Sequence, residues 1–217
     1  MTQQGELFSA APLDTLQFEK IAYQSGYTCV AGIDEAGRGP LAGPVTAAAV
    51  ILPPGLSITG VDDSKKLTAD KREKLFDIIM NQALSVGVGV VSPAEIDRIN
   101  ILQATRQAMR AAVMSLSLQP DYLLIDGITT IESSLPQKTI KKGDSLSLSI
   151  AAASIIAKVT RDRHMIEMDL IYPGYGFARH KGYGSADHMS AIKRLGPSPI
   201  HRLTFGGVKE HVACTCS

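Results

Sequence analysis

The order of elements legible in the sequence predicts one α/β domain built on a mixed β-sheet. Two observations carry this. Strand-like segments come first and helical ones later, in the order β-β-β-α-β-α, which suggests an antiparallel meander followed by a parallel strand. The 217 residues are 45% hydrophobic, enough for one sizeable core. With 5% aromatic residues and no Trp, its packing must rest on Ala, Val, Ile and Leu.

Residues 1–26 read as a polar N-terminal tail with one short helical turn at Leu16–Tyr23. Cys29–Ile33 is a short apolar strand that runs straight into Asp34-Glu35. Residues 36–44 hold three glycines and two prolines and must be irregular backbone. Thr46–Leu52 reads as a buried strand closed by Pro53-Pro54-Gly55. Thr68 suits the N-cap of a helix whose apolar side carries Leu75, Phe76 and Ile79. Leu84–Val91 alternates apolar residues with Ser and Gly and reads as a third strand. Pro93 opens helical territory reaching Ser117, and Tyr122–Asp126 is a short apolar strand ending in a carboxylate. After a basic loop, Asp144 or Ser145 caps the best helix in the chain. Ala152, Ile155, Ile156, Val159, Ile166 and Leu170 mark its buried stripe, with Lys158, Arg161 and Arg163 largely off it. Residues 172–184, rich in Gly, Tyr and basic side chains, read as a loop, and Ala186–Leu195 as a last short helix.

The strongest chemical signal lies at residues 32–44. Adjacent Asp34 and Glu35 at a strand end repel each other unless a cation neutralises them. Neighbouring strand residues point to opposite faces, so both can serve one metal site only if the strand breaks there. The Ala-Gly-Arg-Gly-Pro that follows predicts such a break. The glycines do not make a dinucleotide fingerprint: that motif opens a helix, whereas Pro40 and Pro44 intervene here and a strand follows. Glycines so spaced let backbone N–H groups approach a sugar or phosphate closely. Asp126, before Gly127, fits a turn as well as a ligand, and Asp144 by itself fits an N-cap better than a ligand. Together, Asp34, Glu35, Asp126 and Asp144 could converge on one edge of a sheet. An oxygen-only set of this kind favours Mg²⁺ or Mn²⁺ over zinc.

Net charge is only +1, but it is unevenly spread. Residues 1–135 carry 10 Lys and Arg against 15 Asp and Glu; residues 136–209 carry 12 against 5. That suits a phosphate-binding face beside a metal site and, more simply, two solvated surfaces of unlike sign. No segment has a signal-peptide pattern, and the apolar runs are too short to span a bilayer. Three cysteines make no disulfide framework, Cys214 and Cys216 are too closely spaced for a usual zinc pair, and the five histidines show no ligand spacing. A cytoplasmic, reduced monomer without membrane contact is the expectation.

In these residues the chain resembles the ribonuclease HII family, from about Tyr27 to Phe205. The resemblance rests on Asp34–Val45 (DEAGRGPLAGPV), Asp63-Ser64-Lys65-Lys66-Leu67, Ser149–Asp162 (SIAAASIIAKVTRD) and Tyr172–Gly184 (YPGYGFARHKGYG). Ser185 stands where the family often has Thr. The resemblance implies a ribonuclease H-like fold: a mixed five-stranded sheet flanked by helices, with a C-terminal helical portion. Residues 27–205 would be the catalytic domain and residues 206–217 a C-terminal tail. It implies Asp34, Glu35, Asp126 and Asp144 as catalytic carboxylates that hold Mg²⁺ or Mn²⁺. The backbone of Gly37, Arg38 and Gly39, with Tyr183, would read the junction between a ribonucleotide and the following deoxynucleotide. Near the carboxylates, Arg38, Lys65, Lys66 and Lys181 would hold phosphates.

The implied reaction is hydrolysis, by metal-activated water, on the 5′ side of ribonucleotides in RNA–DNA hybrids or embedded in duplex DNA, leaving a 3′-hydroxyl and a 5′-phosphate. The 2′-hydroxyl would be the discriminating group. The sister type, ribonuclease HIII, has Gly-Lys-Gly at the position of residues 37–39 and a sizeable extra N-terminal domain, and fits less well. A non-catalytic binder of hybrids would gain nothing from four acids that repel phosphate. Finally, Gln4-Gly5-Glu6-Leu7-Phe8 resembles the Gln-x-x-Leu-Phe peptide by which bacterial replication and repair proteins bind the sliding clamp. Gln4, Leu7 and Phe8 are therefore a candidate clamp contact.

Overall fold

The computed structural model describes residues 14–61, 64 and 67–212. At its centre is strand β1 (Val30–Ala36), which pairs antiparallel with β2 (Val45–Ile51). β2 pairs antiparallel with β3 (Ser85–Val91). On the other side of β1, β4 (Tyr122–Asp126) and then β5 (Gln137–Ile140) add in parallel, giving the order β3-β2-β1-β4-β5. This is the mixed five-stranded sheet expected, with the meander first and the parallel strands after it. The fifth strand lies where a basic loop was expected. Gln137, Lys138 and Thr139 are not buried, because an edge strand needs no apolar alternation and charge on it discourages further pairing.

Every residue of β2 is buried, since helices cover both faces of the sheet. Ala47, Ala49 and Ile51 pack with Ile33, Leu123 and Ile125 against α4 (Ile101–Met114). Ala48 and Val50 face α2 (Ala69–Gln82) and α5 (Leu148–Ile171). Two-sided burial explains why this stretch reads as a continuous apolar run. The helical region after β3 is two helices, α3 (Pro93–Ile99) and α4, because Asn100 adopts φ 69 between them. Its side chain caps α4 by accepting from the Leu102 and Gln103 N–H groups.

Residues 14–26 are more ordered than a polar tail. α1 (Gln17–Gln24) places Glu19 in a buried position at the start of α5. There Glu19 Oε1 accepts from Ser147 Oγ (2.6 Å), Ser149 N (3.0 Å) and Ser149 Oγ (2.7 Å), a carboxylate matched to the positive end of a 24-residue helix. The N-cap of α5 is Ser147, whose Oγ accepts from Ile150 N. Asp144 and Ser145, expected as caps, lie earlier in a 3-10 turn spanning Gly143–Ser145.

The stripe on α5 also needs correction. Ala152, Ile155, Ile156 and Val159 are buried, but Ile166 and Leu170 are 46% and 81% exposed, and Arg161 is 1% exposed. The C-terminal part of α5 packs on α6 (Phe177–His180), a short helix inside the expected loop, and on residues 42–44. α7 (Ala186–Leu195) completes this end of the molecule, where Ala42, Met165, Phe177 and Ala191 form a small core of their own. Val208 is fully buried, so the described part of the expected C-terminal tail is anchored.

Candidate active site

β1 does not break at its carboxylates. Asp34, Glu35 and Ala36 stay paired with Ala48, Ala47 and Thr46 of β2, while pairing with β4 stops at Ile33. The break comes at Gly37, with φ +99. Alternation therefore persists through the acids, and they take opposite faces. Asp34 shares the α5 face with Ala48 and is 2% exposed. Its Oδ1 accepts from Glu35 N at 2.7 Å, and Oδ2 has no partner among the described residues.

Two further acids converge on Asp34. Asp126 ends β4, where its Oδ1 accepts from Gly143 N at 2.7 Å. Asp144, 5% exposed, sits one residue beyond that donor. One ligand oxygen from each of Asp34, Asp126 and Asp144 lies within 4.8 Å of the other two. Burial first, and then the charges of Glu35 and Asp126, raise the Asp34 carboxyl well above its ordinary range. Glu35 is outside this triad: its Oε1 accepts from Arg38 Nη1 at 3.2 Å. Three of the four expected acids thus meet, and the fourth neighbours them through the backbone. A buried, mutually repelling, oxygen-only set with a free oxygen fits a hard divalent cation.

The glycine loop beside the acids is held from beneath by two buried arginines that the sequence did not single out. Arg161 donates from Nε to Pro44 O (2.9 Å), Nη1 to Lys181 O (3.0 Å) and Nη2 to Ala42 O (3.1 Å). Arg202, fully buried, donates from Nη1 to Arg38 O (2.9 Å), Nη2 to Gly37 O (2.5 Å) and both Nε and Nη2 to Gly43 O. Burial, then the neighbouring Arg161 charge, lowers the Arg202 pKa to about 9, so it stays charged at neutral pH. Gly37 is required there: a Cβ would lie 2.2 Å from Arg161 Nε and 2.7 Å from the Pro44 carbonyl oxygen.

Backbone bonds join this loop to two distant segments. Leu41 N donates to Gly182 O, Gly43 N to Ile200 O and Arg202 N to Leu41 O, each at 2.8 Å. Tyr183 is consequently a neighbour of Gly39, its ring 3.7 Å from where a Cβ on that glycine would stand. The Tyr183 ring is about half exposed. Lys158, also not singled out as a binding residue, holds its Nζ 6.0 Å from the ring centroid and 2.7 Å from Asp162 Oδ1. Lys181 Nζ turns back to donate to the Ala178 carbonyl. Lys65 and Lys66 lie outside the described residues, as do Gln4, Leu7 and Phe8; Ser64, beside the lysines, sets its Oγ 2.7 Å from Ser154 Oγ.

A cavity of about 760 Å³ lies elsewhere, on the outer side of α4 by Gln103, Arg106, Arg110 and Met114. It holds none of the acids.

Comparison with known proteins agrees with this geometry. The family model for ribonuclease HII matches residues 31–208. The ribonuclease HII of Pelobacter propionicus is 67% identical over 215 residues, covering 99% of this chain and 98% of that one. Among solved structures, ribonuclease H2 from Pyrococcus horikoshii superposes with a TM-score of 0.70 at 30% identity, over 84% of this chain and 96% of that one. Ribonuclease HII from Archaeoglobus fulgidus, solved as a complex with PCNA, gives a TM-score of 0.69 at 26% identity, over 82% and 95%. By sequence and by fold alike, the chain belongs to the ribonuclease HII family, hydrolases with endoribonuclease activity on RNA–DNA.

Proposed function

We propose that this ribonuclease hydrolyses the phosphodiester on the 5′ side of ribonucleotides, in RNA–DNA hybrids or embedded singly in duplex DNA, and leaves a 3′-hydroxyl and a 5′-phosphate. The convergence of Asp34, Asp126 and Asp144, with the buried Asp34 Oδ2 unpartnered, carries this reading. Asp34, Asp126 and Asp144, with Glu35 beside them, would hold Mg²⁺ or Mn²⁺. A divalent cation supplies charge neutralisation at the phosphate and lowers the pKa of an attacking water.

The chain's own residues do the rest. The Glu35 N–H orients Asp34, and the Gly143 N–H orients Asp126. The backbone of Gly37, Arg38 and Gly39 and the adjoining Tyr183 ring read the sugar junction, where the 2′-hydroxyl marks RNA. Arg38, Lys65, Lys66 and Lys181 supply phosphate contacts that position the duplex without reading it. The test is cleavage of an end-labelled duplex carrying one ribonucleotide, with Mg²⁺, Mn²⁺ or EDTA. A metal-requiring cut on the 5′ side with a 3′-hydroxyl product is expected. Activity in EDTA, or a cyclic phosphate end, overturns the reading.

A sliding-clamp contact through Gln4, Leu7 and Phe8 belongs to the same proposal, and the Archaeoglobus relative's complex with PCNA supports it. Titrating a labelled peptide of residues 1–12 against the clamp of the same organism should show saturation at roughly micromolar concentration. Equal binding by the Leu7→Ala, Phe8→Ala peptide would dispose of it.

A further inference from the structure

Behind Tyr183, three histidines from separate segments meet. His188 Nε2 lies 3.0 Å from His201 Nε2, His180 stacks on His188 with ring centroids 4.4 Å apart, and His188 and His201 are 0% and 2% exposed. Backbone N–H groups decide where their protons sit. The Ser198 N–H points at His201 Nδ1 (2.8 Å), so that nitrogen must offer a lone pair and the His201 proton sits on Nε2. His201 Nε2–H then donates to His188 Nε2, which leaves the His188 proton on Nδ1. From there it donates to the Tyr183 carbonyl oxygen, 2.9 Å away. A proton added to either ring would set donor against donor, at the Nε2–Nε2 contact or at the Ser198 N–H. His180 is fixed in the same way: its Nδ1 accepts from Gly182 N, so Nε2–H donates to the Tyr175 carbonyl.

We infer that His188, backed by His201, is a positioning residue for Tyr183: the proton-ordered chain from Ser198 through both imidazoles fixes the tyrosine backbone, and so the ring, beside Gly39. His201 itself bridges to Ala42 of the glycine loop, so one relay registers both parts of the junction reader. The inference rests on the reading of Tyr183 as the residue that meets the junction sugar. Neither histidine touches substrate; each acts through Tyr183.

Two replacements separate positioning from packing. An Asn side-chain amide reproduces the Nδ1–H donor to Tyr183, whereas a Gln amide reaches only as far as the Nε2 position. On a duplex with a single ribonucleotide, His188→Gln should lower kcat/KM about tenfold, a loss of the order of one hydrogen bond, and His188→Asn should stay within about threefold of wild type. The loss should vanish in a Tyr183→Ala background, because His188 then has no ring left to position. Equal losses for Asn and Gln, or a Gln effect that persists without the tyrosine ring, overturn the inference. If Tyr183→Ala itself leaves junction cleavage unchanged, the reading of Tyr183 has failed instead. Should a variant not fold, long-range ¹H–¹⁵N spectra of the wild-type protein decide. His188 is expected as the Nδ1–H tautomer and His201 as Nε2–H, and the opposite assignment for His188 overturns the relay.

Discussion

The two halves of the candidate site are built on opposite principles. The acid triad is left electrostatically incomplete: Asp34 is buried, repelled by Glu35 and Asp126, and keeps one oxygen without a partner. The glycine loop a few residues on is fully supplied, with Arg161 and Arg202 donating to the carbonyls of six residues, Gly37, Arg38, Ala42, Gly43, Pro44 and Lys181. The difference teaches what each half is for. A ligand set must keep its strongest interactions in reserve for the ligand, so its folded state carries the strain of like charges. A surface that reads shape must not move, so its backbone acceptors are occupied by rigid, buried guanidinium forks.

The largest expected effect follows from the incomplete half. Asp34→Asn should lower cleavage by at least about 10³-fold, since it removes a metal ligand, as should Asp126→Asn. The sign for stability is opposite. An acid whose folded pKa is raised destabilises the fold at neutral pH, and that cost is relieved as pH falls through the raised value. Asn removes it at every pH. Melting of metal-free Asp34→Asn should therefore match or exceed that of metal-free wild type at pH 7.5. A clear drop in its melting temperature would mean that Asp34 is held by interactions the triad does not show.

The supplied half predicts the reverse pattern. Arg202→Leu should destabilise the protein by about 3–5 kcal/mol in urea unfolding, since breaking a buried charged network leaves its acceptors unpaired. Arg202→Lys should recover little, because an ammonium cannot span the Gly37, Arg38 and Gly43 carbonyls in one plane. If Arg202→Leu melts like wild type while losing cleavage, the arginine serves chemistry and the contrast between the halves collapses.

What was legible in the sequence divides along the same line. Asp34 and Asp126 could be placed because each ends an apolar strand, and Asp144 because the acids make sense as a set. The opposite facing of Asp34 and Glu35 was also available, but a break was expected at the acids, imposed by the Ala-Gly-Arg-Gly-Pro that follows, whereas the backbone holds its strand geometry to Ala36. Arg161 was not legible. Helical periodicity treats a charged residue as solvent-facing, and its acceptors at Ala42, Pro44 and Lys181 lie 119, 117 and 20 residues away. The same distance in sequence hid the meeting of His188 with His201, which no spacing rule anticipates. Strand β5 escaped because Gln-Lys-Thr-Ile at a sheet edge has only one buried residue to declare it.

Acid should loosen the supplied half selectively. His188 and His201 have folded pKa values pushed down to about 4, chiefly by burial, from an ordinary 6.5. The unfolded chain therefore takes up protons first as pH falls. The stability that depends on neutral imidazoles is fully present above about pH 6.5 and is lost on the way to pH 4, by up to about 3 kcal/mol for one imidazole. The difference in unfolding free energy between wild type and His188→Asn, followed from pH 7.5 to 4.5, should shift in favour of the variant. A difference that does not change with pH would show that His188 is not buried as the neutral ring.

The smallest effect isolates function within the half that is otherwise structural. Tyr183 is half exposed, unlike the buried arginines that hold its loop. Tyr183→Ala should leave the melting temperature within about 1 °C, given that exposed substitutions away from caps and cores seldom cost more than about 0.5 kcal/mol. Cleavage at a single embedded ribonucleotide should still fall about tenfold, the scale of one lost aromatic contact. General duplex binding should fall less, since phosphate contacts supply most of that affinity and carry its salt dependence. The informative quantity is the ratio of the two losses at one fixed salt concentration. If binding and cleavage fall by the same factor on every substrate, the ring contributes only affinity, and junction reading must then be assigned to the Gly37–Gly39 backbone alone.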